Sequence, residues 1–228
     1  YFTNITAREI GETEITTEDG IEVYQNEKFY LLKKNVNIVS DSFTLRADKV
    51  KINYEENLYD ITKLYAEGNV DFNSQEFEMK GSSEFLELAV KIEELKLKGK
   101  GSQLVSKDVK MFSDGFIEVN NINGNFFLNG LNSKLVNDEI IIQAKQINGV
   151  FSDNGNKKNI NSLNVYDEKI SYVKNIDTEM YAKKINFNYE NSIIELIDDV
   201  TIIRNEEKIS GDYGTLDTTN NSYKIKSK

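Results

Sequence analysis

Apolar and polar side chains alternate along most of this chain, with a one-residue slip that returns at intervals. The clearest example is the stretch 43–54, Phe-Thr-Leu-Arg-Ala-Asp-Lys-Val-Lys-Ile-Asn-Tyr, in which the alternation reaches a small residue, slips by one and resumes. The stretch 178–189, Thr-Glu-Met-Tyr-Ala-Lys-Lys-Ile-Asn-Phe-Asn-Tyr, matches it position for position. Strict alternation is typical of a half-buried strand, and an extra residue next to a small side chain is typical of a β-bulge or corner. The pattern therefore predicts strands that bend around a corner.

The same unit returns along the whole sequence. Weaker copies lie at 77–88, 140–151 and 207–218, and fragmentary copies lie at 109–120 and 3–14. Their small residues fall at positions 7, 47, 81, 113, 144, 182 and 211, at a mean spacing of about 34 residues. Between the copies, the turn pairs Lys-Asn, Gly-Asn and Asp-Asp precede Val36, Val70 and Val200, each of which opens a further apolar strand. With no Pro and no Gly-rich linker, we expect a single repetitive all-β domain over residues 1–228.

One segment also fits a helix. Phe85, Leu88, Ala89, Ile92 and Leu95 form a helical stripe. The alternating set Leu86, Leu88, Val90 and Ile92 continues the repeat in register, however, and this favours a strand.

The composition excludes several classes of function. The net charge of −10 disfavours nucleic-acid binding, which needs clustered cations on the protein surface. The chain has no Cys and no His, and these are the commonest zinc ligands and nucleophile–base pairs, so we predict no catalytic residue, no metal site and no cofactor. Because the sequence opens on Tyr1 and has no long apolar run, we expect that a signal peptide or membrane anchor preceded it.

Two polar clusters and the apolar stripe are candidate binding features. Asp198 with Asp199, and the stretch 152–156, Ser-Asp-Asn-Gly-Asn, carry oxygen ligands that a cation prefers, although both are also ordinary turn sequences, and we favour turns. The apolar stripe is consistent with two structures. It is either a plain core packed between two sheets, or the lining of an open trough that holds an acyl chain.

The turn 66–72, Ala-Glu-Gly-Asn-Val-Asp-Phe, followed by an alternating strand that reaches a small residue, resembles the OstA-like family of periplasmic lipopolysaccharide transport proteins, which includes LptA and LptC. The closing stretch 200–217 is the best match, and the likeness extends over essentially the whole chain. The resemblance implies an elongated, twisted, open β-jelly roll in the periplasm of a Gram-negative bacterium. It also implies a non-enzymatic role in which the interior carries acyl chains from the inner to the outer membrane.

The resemblance further implies partners and a lining. The expected partners are lipopolysaccharide and related jelly rolls that pair through exposed edge strands, and a head-to-tail homo-oligomer is a further expectation. The alternative function is a structural β-solenoid or filament-forming protein with a sealed core. By position, the lipid-binding residues implied are Phe43, Leu45, Val50, Ile52, Tyr54, Phe77, Met79, Leu86, Ile142, Ile147, Met180, Ile185, Phe187 and Ile209.

Overall fold

A computed structural model describes residues 13–137, 140–153, 158–220 and 222–227 of the chain. These residues form seventeen β-strands and two single 3₁₀ turns, at Val90–Ile92 and Tyr189–Asn191, so the all-β prediction is confirmed. The strands are β1 Glu14–Thr16, β2 Ile21–Tyr24, β3 Phe29–Val39, β4 Phe43–Tyr54, β5 Ile61–Ser74, β6 Met79–Ala89, β7 Glu94–Lys98, β8 Ser102–Ser106, β9 Val109–Ser113, β10 Phe116–Asn120, β11 Asn125–Asn137, β12 Ile140–Asp153, β13 Lys158–Lys174, β14 Thr178–Asn188, β15 Ile193–Arg204, β16 Glu207–Asp217 and β17 Ser222–Lys226.

Every long strand passes through two layers. The antiparallel register shifts near the middle of each long pair, for example between Lys33 and Val36 where β3 pairs with β4. On one side of this corner, β6 pairs with β7, and on the other side it pairs with β8. In the same way β11 pairs with β10 on one side and with β9 on the other. The predicted bent strands are therefore confirmed, and the two layers fold over one another to enclose the core.

We call the layer that contains β2, β7, β10 and β17 the first layer, and the layer that contains β1, β8 and β9 the second layer. Fourteen strands follow one another across the first layer, from β2 to β17. At a spacing of about 4.8 Å between neighbouring strands, this layer extends for about 60 Å. The fold is an open β-jelly roll, elongated in the direction that runs across its strands.

The corners are made by residues in the left-handed backbone region. Gly68 and Asn69 have φ of 76° and 48°, and Asp198 and Asp199 have φ of 61° and 56°. Gly, Asn and Asp adopt this conformation more easily than other residues. At Gly68 a side chain would also collide with Asp48, because an added Cβ would lie 2.3 Å from its carboxylate oxygen. The predicted turn pairs are thus bends inside continuous strands.

Small residues lie at the corners of the partner strands. Ala47 pairs with Val36, Ala144 with Ser133, Ala182 with Ser171 and Gly211 with Val200, in agreement with the repeat, and Ser113 ends β9 at the corner next to Ser102. The copy around Ala7 lies outside the described residues.

The assignment of Gly81 to a corner was wrong by two residues. The corner position in β6 is Ser83, which pairs with Val70, whereas Gly81 lies opposite Phe72. Gly81 leaves room for that ring, because a Cβ at this position would lie 2.4 Å from the Phe72 ring. A small residue in the sequence can therefore mark a large neighbour as well as a corner.

The segment 85–95, whose pattern fits both a helix and a strand, is mainly a strand. Phe85 to Ala89 belong to β6, and the alternation ends there, because Val90–Ile92 is a 3₁₀ turn closed by Glu93 in the left-handed region. Leu86 is buried as the strand reading predicts, whereas Val90 and Ile92 are exposed. The predicted alternation is therefore right for Leu86 and Leu88 and wrong for Val90 and Ile92.

Candidate lipid groove

The space between the two layers is lined by apolar side chains whose burial decreases with distance from the corner. Next to the corner, Val50, Leu97 and Ile147 are fully buried. At the far ends of the strands, Phe43, Val119 and Phe187 are only partly buried and pack against the core from its margin. The layers therefore diverge from the corner toward an open side, which we call the mouth. We call the space between them the groove.

Connections between strands border the mouth on both sides. Among the described residues, the first rim contains the connections 25–28, 55–60, 90–93, 121–124, 189–192 and 218–220, which follow strands of the first layer. The described part of the second rim contains the connections 40–42, 75–78, 107–108, 175–177 and 205–206, which join strands of the second layer.

Most of the residues predicted to line the interior do so. Three are half-buried at its margin, namely Phe43, Phe77 and Phe187. Ten are buried in the core, namely Leu45, Val50, Ile52, Tyr54, Met79, Leu86, Ile142, Ile147, Met180 and Ile185. Whether they contact lipid stays a prediction, and the seven that lie between 0% and 1% exposed are packed by neighbouring side chains on all sides.

Ile209 is placed differently. It lies directly opposite the buried Ile202, so its side chain points into the groove, yet it is 37% exposed. The cause is the end of the second layer, since β17 pairs with Tyr213 to Asp217 of β16 and leaves the half that contains Ile209 uncovered.

A cleft of about 250 Å³ opens into the groove near the middle of the molecule. The second layer contributes Met79, Leu104, Val109 and Met111 to its wall. The first layer contributes residues of β10, β11, β12 and the connection 121–124, namely Val119, Phe151 and Asn120 to Asn125. Met79 is the member of the predicted set that lines this central cleft. Leu104, Val109, Met111 and Val119 were missed, although their alternation in β8, β9 and β10 is a signal that could have found them.

Buried serines form a second feature of the interior, of which the sequence predicted Ser113 alone as a corner residue. Ser102, Ser113, Ser133 and Ser171 are between 0% and 3% exposed, and all four lie at corners. Ser102 donates to the carbonyl of Gly99 over 2.8 Å, and Ser171 donates to that of Lys183 over 3.1 Å. The hydroxyls of Ser113 and Ser133 lie 3.2 Å apart. These hydrogen bonds give the buried serine hydroxyls polar partners, and they place no charge in the groove.

The groove is electrically neutral. In the part of the chain that the structure describes, the buried polar side chains are serines and one threonine, Thr178. Tyr30 is buried among apolar neighbours, and this burial raises the pKa of its phenol. The charged side chains form ion pairs on the outer faces, such as Lys183 with Asp199 at 2.8 Å and Lys96 with Glu118 at 2.5 Å. Such an interior suits hydrocarbon, because burying an unpaired charge is costly.

The two candidate cation sites gain no support. Asp198 and Asp199 form a corner, and Asp199 is paired with Lys183. The stretch 152–156 lies largely outside the described residues. Among the residues that are described, no cluster of three or more acidic, His or Cys side chains could hold a metal ion. In the same part of the chain, no helix has the length and hydropathy needed to cross a bilayer.

The two ends of the molecule expose strand edges and apolar side chains together. At one end β2 is exposed throughout, and its Ile21 and Val23 lie opposite the buried Leu32 and Tyr30. They therefore point toward the groove, yet they are 51% and 46% exposed, because within the described part of the chain no further strand covers them. At the other end, Ile209 is uncovered in the same way. An unpaired edge with exposed apolar residues is a typical docking site for another strand.

Comparison with known proteins shows a similarity to lipopolysaccharide transport proteins. Residues 15–121, from β1 to the connection after β10, match the family described as LptA/(LptD N-terminal domain) LPS transport protein. Among solved structures, the chain is similar to LptH, described as the LptA-homologous periplasmic component of the lipopolysaccharide transport device of Pseudomonas aeruginosa. That similarity has a TM-score of 0.43 at 14% sequence identity and covers 53% of this chain and 82% of that chain. No curated protein sequence matches the chain.

Proposed function

We propose that the chain is a periplasmic, non-enzymatic carrier of lipopolysaccharide, on the premise that its residues 15–121 match the LptA/LptD N-terminal family of lipopolysaccharide transport proteins. The acyl chains lie in the groove, and the sugar headgroup stays in water outside the mouth. The observation that carries the proposal is the neutral apolar groove, which is open on one side and contains a central cleft of about 250 Å³. Each methylene group that leaves water for such a site gains roughly 0.8 kcal/mol.

The exposed ends support a role as a bridge. We propose that copies or related jelly rolls join end to end, so that the groove of one continues into the groove of the next. Ile21 and Val23 at one end and Ile209 at the other point into the groove, and no strand among the described residues covers them. Because the two ends differ, the contact is head to tail and repeats along a line. Such an assembly spans the periplasm in steps of about 60 Å per copy.

Binding of intact lipopolysaccharide, compared with its deacylated form, tests the carrier role. Labelled lipopolysaccharide should bind the purified chain, unlabelled intact lipopolysaccharide should displace it, and fully deacylated lipopolysaccharide should not. Because the proposed contacts in the groove are made by the acyl chains, equal competition by the deacylated form would rule out the groove as the binding site. Absence of any binding would favour the alternative, a structural protein with a sealed core.

Sedimentation as a function of protein concentration tests the bridge. The wild-type chain should form oligomers of increasing length as its concentration rises, and Ile209→Asp should remain monomeric. Leu131→Asp is the matched control, because Leu131 is 77% exposed but lies at a corner, away from both ends. The head-to-tail contact is excluded if Ile209→Asp assembles as readily as Leu131→Asp does.

A further inference from the structure

The two rims of the mouth differ in chemistry. Large apolar side chains are exposed in four of the first-rim connections, where Tyr59 is 93%, Ile92 51%, Ile122 65% and Tyr189 66% exposed. Successive connections on this rim are two strands apart. Tyr59, Ile92 and Ile122 therefore follow one another along the mouth at intervals of about 10 Å. We call these four residues the apolar lip.

The second rim is mainly polar and acidic. Its described connections contain Asp41, Glu76, Glu78, Asp108, Asp177 and Glu206. In these connections Ile176 is the exposed large apolar side chain, at 80%, and Phe77 instead turns inward against the core. Acidic residues lie on both rims, so the mouth is asymmetric in its exposed apolar side chains, which are concentrated on the first rim.

Ile122 joins the apolar lip to the groove. It is exposed at the surface and is also part of the wall of the central cleft, together with Met79, Leu104, Met111 and Phe151. At this level of the molecule an exposed apolar side chain therefore borders the opening of the cleft, whose wall also contains Asn120, Asn121, Asn123 and Asn125. We propose that an acyl chain passes sideways over the apolar lip at Ile122 and enters the groove through the central cleft. This inference rests on the carrier function proposed above.

Other occupants of the apolar lip fit less well. A stable protein interface needs on the order of 800 Å² on each partner, and the lip offers single side chains about 10 Å apart. A second copy placed mouth to mouth would bring acidic rims together, because Glu55, Glu56, Asp60, Glu93 and Glu190 also lie in the first-rim connections. The net charge of −10 disfavours an anionic membrane surface. One flexible acyl chain, in contrast, needs contact with only a few separate apolar side chains at the mouth.

Stopped-flow loading of fluorophore-labelled lipid A tests the inference. Ile122→Ser should lower the association rate constant by about fivefold or more, because the acyl chain loses an apolar contact at the opening of the cleft. Two exposed isoleucine or leucine residues supply matched controls, Ile176→Ser on the second rim and Leu131→Ser on the corner side, at 80% and 77% exposed. Both should load within about 1.5-fold of the wild-type rate. All three positions are on the surface, so each variant should keep its fold.

The outcomes separate this inference from the proposed function. If wild type binds lipid A and Ile122→Ser loads as fast as Leu131→Ser, the lip at Ile122 is refuted and the carrier function stands. If Ile176→Ser slows loading as much as Ile122→Ser does, the asymmetry of the mouth is refuted. If wild type binds no lipid A, the carrier function and the inference both fail. A selective loss of rate in Ile122→Ser supports sideways loading.

Discussion

Replacing Val109 by Phe should fill part of the central cleft and weaken lipid binding without unfolding the chain. Val109 lies at the start of β9 and lines the cleft of about 250 Å³, so a larger side chain has room to enter it. Phe has four more side-chain carbon atoms than Val. If these displace four lipid methylenes at about 0.8 kcal/mol each, binding loses about 3 kcal/mol, roughly a 100-fold increase in Kd.

The stability of this variant should change little, because the added carbons fill space that is empty in the wild-type chain. The assay is displacement of a fluorescent lipid A probe, read together with thermal unfolding. Lys110→Phe is the matched control, since Lys110 is the next residue of β9 and is exposed on the outer face. Its Kd should equal that of wild type. A folded Val109→Phe variant that binds lipid as tightly as Lys110→Phe would refute the placement of the acyl chain in the cleft.

Three further changes test the fold around the groove. Ile147→Ala should lower the free energy of unfolding by about 2–5 kcal/mol in urea titration, because Ile147 is fully buried next to the corner; a loss under 1 kcal/mol would contradict its place in the core. Asp198→Val should cost about 1–2 kcal/mol, whereas Asp198→Gly should be neutral or slightly stabilising, since φ is 61° there; equal effects would contradict a left-handed corner. The hydrogen bond from Tyr213, followed by that from Asn186, lowers the pKa of Glu195 below its usual 4.5. The stability from this bond is therefore present above pH 4.5 and is lost as the pH falls through the lower folded-state pKa, so Tyr213→Phe should be less stable than wild type at pH 7 and should approach it in acid.

The alternation of side chains predicted most of the strands and corners, with Gly81, Val90 and Ile92 as the exceptions. Period 2 in the stretch 43–54 placed Leu45, Val50 and Ile52 on one face, and the structure buries all three. The slip near Ala47 predicted the corner, because a change of register inside a strand is local and the chain must absorb it within a few residues. The alternation and the slip both depend on residues that are adjacent along the chain, so the sequence alone is enough to reveal them.

Features that depend on contacts between strands were harder to predict. Gly81 resembled a corner residue, and its small size instead serves Phe72 on the neighbouring strand. Ser133 is a polar residue that alternation does not place, and it is buried because its hydroxyl bonds to the carbonyl groups of Gly130 and Lys145 inside the fold. Ile209 belongs to the apolar pattern, and its exposure follows from the shortness of β17. The cleft depends on side-chain volumes that face one another across two layers, and alternation alone does not encode them.

Photocrosslinking at two neighbouring positions of β9 tests the groove most directly. Met111 is 3% exposed and lines the central cleft, whereas Phe112 points to the outer face of the same strand. With a photoreactive residue at position 111, the chain should form an adduct with lipopolysaccharide on irradiation, and with the same residue at position 112 it should form none. An adduct at 112 alone, or at neither position while lipopolysaccharide remains bound, would contradict a lipid carrier with an interior groove.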